Sequence, residues 1–353
     1  MEEPKRLQVQ VDLFGMMPIP GAQPQGNEES GSKTVPSKWV NVDFSKGLTP
    51  EIMALLIQDI KEKDEALTEV PLDLYSMGPW SSSKLKSLQK CPFQYYLKYV
   101  LKLKVPDELK AHDDPLSANV GKAAHSVLEH VMVGKPVEKA YAKAKKDHVN
   151  PSGLNEGEWN THVVPLEYNI NSFKDRIEAL ARVNPIARVF AEVRIAITKD
   201  YEPTGFFSDD AWVRGVIDLV LLLENGDIII IDHKTGGGEG SPNVYKSQLD
   251  WYKVLFHHGI QSVVGAQTGV HFIKAGEVKM VDYTPAKDIE NNLSNMLEMS
   301  IEGAIDTLKA KGFFKHVRGS YCKWCEYDQI GCKSGEFKPL ELATKKWIQI
   351  KPV

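Results

Sequence analysis

The stretch from Trp212 to Asp232 constrains the fold of this 353-residue chain more than any other. WVRGVIDLVLLL (212–223) and DIIIID (227–232) are dense in β-branched and large apolar residues, and Glu224-Asn225-Gly226-Asp227 supplies a turn between them. That pattern predicts a hairpin. A third β-rich run, VFAEVRIAIT (189–198), precedes it, and further strands are predicted near 268–274 and 277–283, joined at Ala275-Gly276. Helical periodicity marks a helix capped at Ser81–Ser83 and running to about Leu103, then helices near 119–133, 137–147, 166–183, 244–258 and 286–311. Helix, three strands, helix, strand describes an α/β sandwich with one central mixed sheet flanked by helices.

Two strand carboxylates carry the chemistry. Asp218 follows Gly215 in one strand, and Asp232 ends the next, with His233 and Lys234 after it. A hairpin brings such positions side by side at one end of a sheet. Hydrolysis of a phosphodiester needs hard oxygen ligands for Mg²⁺ or Mn²⁺, a polarised phosphate and an activated water. Asp218 and Asp232 can supply ligands, and the backbone carbonyl of His233 can add another. Lys234, two residues past Asp232, shares its strand face and can orient water or neutralise developing charge. An Asp-x-Lys triplet alone has little specificity, but it has company here. His125 lies upstream on a predicted helix with Glu129 one turn on, while Gln248 and Tyr252 lie one turn apart downstream.

Net charge is −4, so the molecule is not a polycation, yet charge is uneven. Lys84, Lys86, Lys90, Lys98, Lys102 and Lys104 occur without one acidic residue between them, interleaved with Tyr95, Tyr96 and Tyr99. The segment fits a phosphate-binding patch, with Lys84, Lys86 and Lys90 as the DNA contacts, and fits equally a solvated helix face over a tyrosine core stripe.

These segments resemble the RecB-type nucleases of the PD-(D/E)XK superfamily, particularly the CRISPR-adaptation and AddB-type members. GKAAHSVLEH matches the family's histidine motif, RGVIDLV its strand aspartate, IDHKTG its D-x-K motif, and Gln248 to Tyr252 its Q-x-x-x-Y helix. The resemblance runs from about Ser81 to Cys332. It implies a restriction-endonuclease-like core in which His125, Asp218 and Asp232 bind metal and Lys234 completes catalysis. Gln248 and Tyr252 would shape the site or contact DNA. Glu129 would be an outer partner of the metal ligands, and Glu192 would support the sheet.

All four cysteines fit one constellation: Cys322, Cys325 and Cys332 as C-x₂-C-x₆-C, with Cys91 far upstream in KLKSLQKCPFQYY. By spacing alone, zinc, with His316 as a fourth ligand to the triplet, is a serious rival to iron. The family resemblance implies a [4Fe–4S] cluster that staples the ends of the nuclease domain together.

Residues 1–47 read as a flexible Gly/Pro/Ser/Asn/Gln-rich segment, 48–80 as a helical extension, 81–335 as the nuclease domain and 336–353 as a tail. Gln10-Val11-Asp12-Leu13-Phe14 resembles the pentapeptide by which bacterial replication and repair enzymes dock on the sliding clamp, Gln10, Leu13 and Phe14 filling its groove. QVQVDLF also suits a strand that adds to the sheet. No Walker-type phosphate loop is present, so any unwinding would come from a helicase or recombination partner. The sequence therefore implies a cytoplasmic, metal-dependent DNA exonuclease of a bacterium or phage-infected cell, without a secretory signal or membrane span. A CRISPR-adaptation trimming nuclease and a non-catalytic DNA-binding subunit are the alternatives, and the set His125, Asp218, Asp232 and Lys234 argues against the second.

Overall fold

The computed structural model describes residues 78–103, 115–151, 153–236, 241–311 and 314–327, with isolated positions between 52 and 63. The clamp-like peptide, the tail 336–353 and Cys332 lie outside the described residues, as does most of the segment 48–80. The described residues fall into two compact units, 115–297 and 78–103 with 298–327. Among them no helix is long and apolar enough to cross a membrane.

In the second unit, α1 (Ser82–Lys90) begins at a Ser81 cap and stops at Cys91. α2 (Pro92–Tyr95) follows directly, then a π-helical turn over Tyr96–Val100. The single helix expected to run to Leu103 is therefore broken. The residue before a proline is pushed out of the helical region, and Cys91 is extended, with φ −148° and ψ 95°. Its sulfur then accepts a hydrogen bond from the Gln94 backbone N–H at 3.4 Å, capping the next helix.

The first unit contains the sheet. Helices α3 (Pro115–Met132), α4 (Val137–His148), α5 (Glu156–His162) and α6 (Glu167–Val183) precede β1 (Ile186–Ile197), the two-residue β2 (Pro203–Thr204), β3 (Val213–Leu223) and β4 (Ile228–Lys234). α7 (Lys246–Gly259) crosses over to β5 (Gly265–Phe272), and β6 (Glu277–Pro285) returns beside it. The spatial order is β2-β1-β3-β4-β5-β6, and only β4 and β5 are parallel. The sheet is thus mixed, as expected.

The turn between β3 and β4 needs its glycine. Gly226 has φ +87°, and Asn225 Oδ1 accepts from the Asp227 N–H at 3.0 Å. One apolar core joins Val120, Ala124, Val127 and Leu128 of α3 and Phe173 of α6 to Leu219, Leu221, Ile229 and Ile231 of the sheet. α7 covers the other face, where Phe256 meets Phe190 of β1. A polar anchor also holds α7. The fully buried Lys253 donates to Asp250 (3.0 Å), Asp282 (2.7 Å) and Thr284 (2.8 Å), and Asp282 also accepts from Lys246 and Thr268. The helix expected at 286–311 is α8 (Ala286–Asp288), a π turn at Ile289–Leu293 and α9 (Ser294–Lys311).

Candidate active site

Register places two carboxylates together. The β3–β4 ladder runs from Leu222↔Ile228 to Leu219↔Ile231, so the next step sets Asp218 opposite Asp232. On the other side of β3, pairing with β1 is registered at Ala191↔Leu219 and Val193↔Ile217, which sets Glu192 opposite Asp218. Glu192 has φ +48°, a left-handed conformation that costs a non-glycine residue roughly 1–2 kcal/mol. The turn of the backbone there interrupts the alternation of β1. Phe190 meets Phe256 of α7, while Ile195 and Ile197 lie against Gly259 of the same helix, although they stand five and seven positions after Phe190 and strict alternation would put them on the opposite face. Glu192 is thereby turned toward α3.

α3 presents His125, whose Nδ1 lies 3.3 Å from Glu192 Oε1 and 3.7 Å from Asp218 Oδ1. Donor atoms of His125, Glu192 and Asp218 all lie within 4.8 Å of one another. Glu129, one turn further along α3, is half-buried. The His233 backbone N–H donates to Asp218 Oδ2 at 2.6 Å. Asp232, almost fully buried, binds Lys234 Nζ through Oδ2 at 2.6 Å and accepts from Gln248 Nε2 through Oδ1 at 3.1 Å. Gln248 Nε2 also donates to the hydroxyl of Tyr252 at 2.7 Å, and Lys234 Nζ stands 5.2 Å from the Tyr245 ring centre. Tyr252 itself is buried.

Of the expected metal ligands, His125 and Asp218 enter the three-donor group, while Asp232 stands beside it on Lys234 and Gln248. Glu192, expected only to support the sheet, is the third member. The one signal for it was its place one strand before Asp218, because alternation cannot foretell a left-handed residue. His233 has a fully buried ring facing His271, Nδ1 to Nδ1 at 3.1 Å, and His271 stacks on Phe173 at 4.1 Å.

Crowded, dry carboxylates disfavour their charged forms. Burial first, and then the negative charges of Asp232 and Glu192, push the Asp218 carboxyl up to about 7, against the opposing pull of His125 and the His233 N–H. Burial works to lower His125, but the Glu192 hydrogen bond and the Asp218 and Glu192 charges outweigh it and hold the imidazole above its ordinary range. Burial and the Asp232 and Asp218 charges keep the Tyr252 phenol protonated.

The second unit holds the cysteine site. Cys91, Cys322 and Cys325 line one small cavity with Gln94, His316, Tyr321 and Tyr327. Segments distant in sequence meet there. The Tyr321 hydroxyl donates to the Lys90 carbonyl at 2.7 Å, and the Phe93 N–H donates to the Lys315 carbonyl at 3.3 Å. Cys322 Sγ accepts from the Gly319 N–H at 3.4 Å. Burial, then the neighbouring Cys91 and Cys322, push the Cys325 thiol up to about 11.

In the lysine-rich segment the structure shows the expected tyrosine core stripe. Tyr95 and Tyr96 are fully buried core residues, whereas Lys98 pairs with Glu326 at 3.1 Å. Lys84 Nζ lies 5.5 Å from the rings of Trp80 and Tyr99, and Lys90 Nζ lies 5.9 Å from that of Tyr321.

A family model described as the PD-(D/E)XK nuclease superfamily matches residues 79–332. No curated protein is significantly similar to the chain. Among solved structures, the crystal structure of SSO0001 aligns over 80% of this chain and 95% of its own, at 11% identity and a TM-score of 0.28.

Proposed function

The chain belongs to the PD-(D/E)XK nuclease superfamily, and on that premise we propose that it is a metal-dependent DNA exonuclease acting in recombination, repair or replication. The family implies a nuclease that uses divalent metal and takes DNA as substrate. The observation that carries the finer reading is the convergence of His125, Glu192 and Asp218 donors within 4.8 Å, beside the Asp232–Lys234 pair.

The donor set fits a hard cation. Asp218 is lifted to about 7 by burial and by the carboxylates around it, and a divalent charge at that place would relieve both penalties. His125, Glu192, Asp218 and Asp232 would hold the ion, with the His233 carbonyl as a further oxygen ligand. When bound, such an ion polarises the phosphoryl oxygen and eases deprotonation of water.

The protein's own groups do the rest. Attack of a water oxygen on phosphorus breaks one P–O ester bond. The water must shed a proton, and the departing oxygen must gain one. Lys234 would orient that water or offset charge growing on the phosphate. Gln248 fixes the Asp232 carboxylate, and Tyr252 in turn fixes Gln248, so the pair limits how far the carboxylate can swing. The His233 N–H holds Asp218 from the opposite side.

The cysteine cavity supports the second cofactor. Cys91, Cys322 and Cys325 would ligate a [4Fe–4S] cluster with Cys332, and the backbone N–H groups aimed at the Cys91 and Cys322 sulfurs suit thiolate charge. Its role would be to tie residues near 91 to residues near 322. Lys84, Lys86 and Lys90 would contact the DNA backbone, and Gln10, Leu13 and Phe14 would dock on a sliding clamp.

Linear and circular DNA, labelled at the 5′ or the 3′ end and incubated with Mg²⁺, Mn²⁺ or EDTA, test the activity. Progressive, metal-dependent loss of label from linear DNA only is expected. Cleavage of circles would make the enzyme an endonuclease, and no cleavage with either metal would contradict the assignment.

A further inference from the structure

We propose that the far end of the β1–β3 ribbon, beyond the candidate metal centre, is a docking surface for an unpaired strand of DNA, with Phe207 stacking on a nucleobase and Arg194 and Arg214 facing its phosphates. This inference rests on the nuclease reading above and specifies the form of its substrate.

Phe207 sits between β2 and β3 and is 57% exposed. Phe206 lies beneath it edge to face, ring centres 5.1 Å apart. Arg214 Cζ lies 5.0 Å from the Phe206 ring and 5.8 Å from that of Phe207, and Arg194 Cζ lies 5.9 Å from Phe206. One Arg214 nitrogen donates to the Phe206 carbonyl at 3.1 Å, which fixes its direction. Among the described residues, neither guanidinium has a carboxylate partner within ion-pair distance, and the nearby Asp210 accepts from Thr204 at 2.6 Å. Two cations around an aromatic pair, with no carboxylate in ion-pair contact among the described residues, complement an anion, although Asp209 and Asp210 follow Phe207 in sequence.

The same sheet face leads to the metal centre. Ile195 pairs with Gly215, and both lie against α7. The alternate positions Arg194, Arg214 and Val216 therefore project to the opposite side, toward which Glu192 and Asp218 also turn to meet His125. Arg214 lies four residues from Asp218 on β3, roughly 13 Å along the strand. An exposed flat ring needs an unpaired base to stack on, whereas a duplex hides its base faces. Chemistry and placement together favour a single strand leading to the scissile phosphate.

Fluorescence anisotropy of the full-length protein, purified anaerobically and held in EDTA to prevent turnover, tests this with a labelled thymidine oligonucleotide and a blunt duplex. F207A is expected to weaken single-strand binding about tenfold. F207W should restore it, which a mere folding role would not permit at so exposed a position. R194Q and R214Q should each lower the slope of log affinity against log salt by about 0.7. Duplex binding should change far less in every variant. Absence of single-strand binding by the wild-type chain, wild-type affinity in F207A, or equal loss on duplex would overturn the proposal. Unchanged DNA binding would leave the patch to a protein partner. Cleavage measured in parallel with Mn²⁺ separates the two readings: activity with no Phe207 effect removes only this surface, and Phe207-dependent binding without cleavage removes only the nuclease.

Discussion

Asp218 and Asp232 occupy the first cross-strand position beyond Leu219↔Ile231, where the β3–β4 ladder stops. Their side chains are then held by different partners, Asp218 by the His233 N–H and Asp232 by Lys234 and Gln248. Asp218 thus lies among the donor atoms of His125 and Glu192, while Asp232 is tied to the Lys234 ammonium group beside them. Substitution of Lys234 by Ala should lower the cleavage rate by about 10²–10³-fold while Mn²⁺ still binds, as read by single-turnover kinetics and metal titration. Equal losses of rate and of metal affinity would move Lys234 from chemistry to site assembly.

Glu192 belongs to the candidate metal-ligand group and has a left-handed backbone. E192Q should weaken Mn²⁺ binding by at least tenfold, measured by isothermal titration. E192G should lose binding as well, yet be more stable than E192A by roughly 0.5–1 kcal/mol, because glycine accepts φ +48° and returns only part of that gain as chain entropy. Identical denaturation midpoints for the two variants would show that the backbone there is relaxed.

The Asp218 carboxyl makes a signed prediction. Its folded value, about 7, lies above the ordinary 3.8, so the metal-free folded state holds a proton that the unfolded chain gives up. That contribution to stability is full below about pH 4 and is lost as pH rises through 7. Wild-type protein in EDTA should therefore lose stability relative to D218N across that window, followed by thermal melting at each pH. A difference that is flat, or that grows in the opposite direction, would contradict the crowding of the site.

Lys253 is fully buried and bonded to Asp250, Asp282 and Thr284. The K253A variant leaves two half-buried carboxylates short of one partner and should cost roughly 1–3 kcal/mol in urea denaturation. Because Lys253 pins the helix that carries Gln248 and Tyr252, activity should fall in the surviving folded fraction too.

The cysteine cavity predicts a brown protein when purified anaerobically, with iron lost from C91S and C322S alike. Stoichiometric zinc with no iron would replace the cluster by a single-ion site.

Much of this molecule is legible in its sequence, because the strongest signals are periodic. The β3–β4 hairpin announces itself through two apolar runs around Asn225-Gly226, and its register follows from the turn. Asp218, Asp232 and Lys234 could be located from that hairpin alone. Glu192 could not, because its side is set by one left-handed residue rather than by alternation. The burial of Lys253 was equally hidden, since its partners Asp282 and Thr284 come from a strand about 30 residues on. The break at Cys91 could have been found, as Pro92 directly follows it. Arg194, Phe207 and Arg214 become a patch only when β1 and β3 pair.

Crystals soaked in manganese, measured for anomalous scattering, address the central claim most directly. The expected result is a peak ligated by His125, Glu192, Asp218 and Asp232. Ordered side chains in the same positions with no manganese between them would contradict the account.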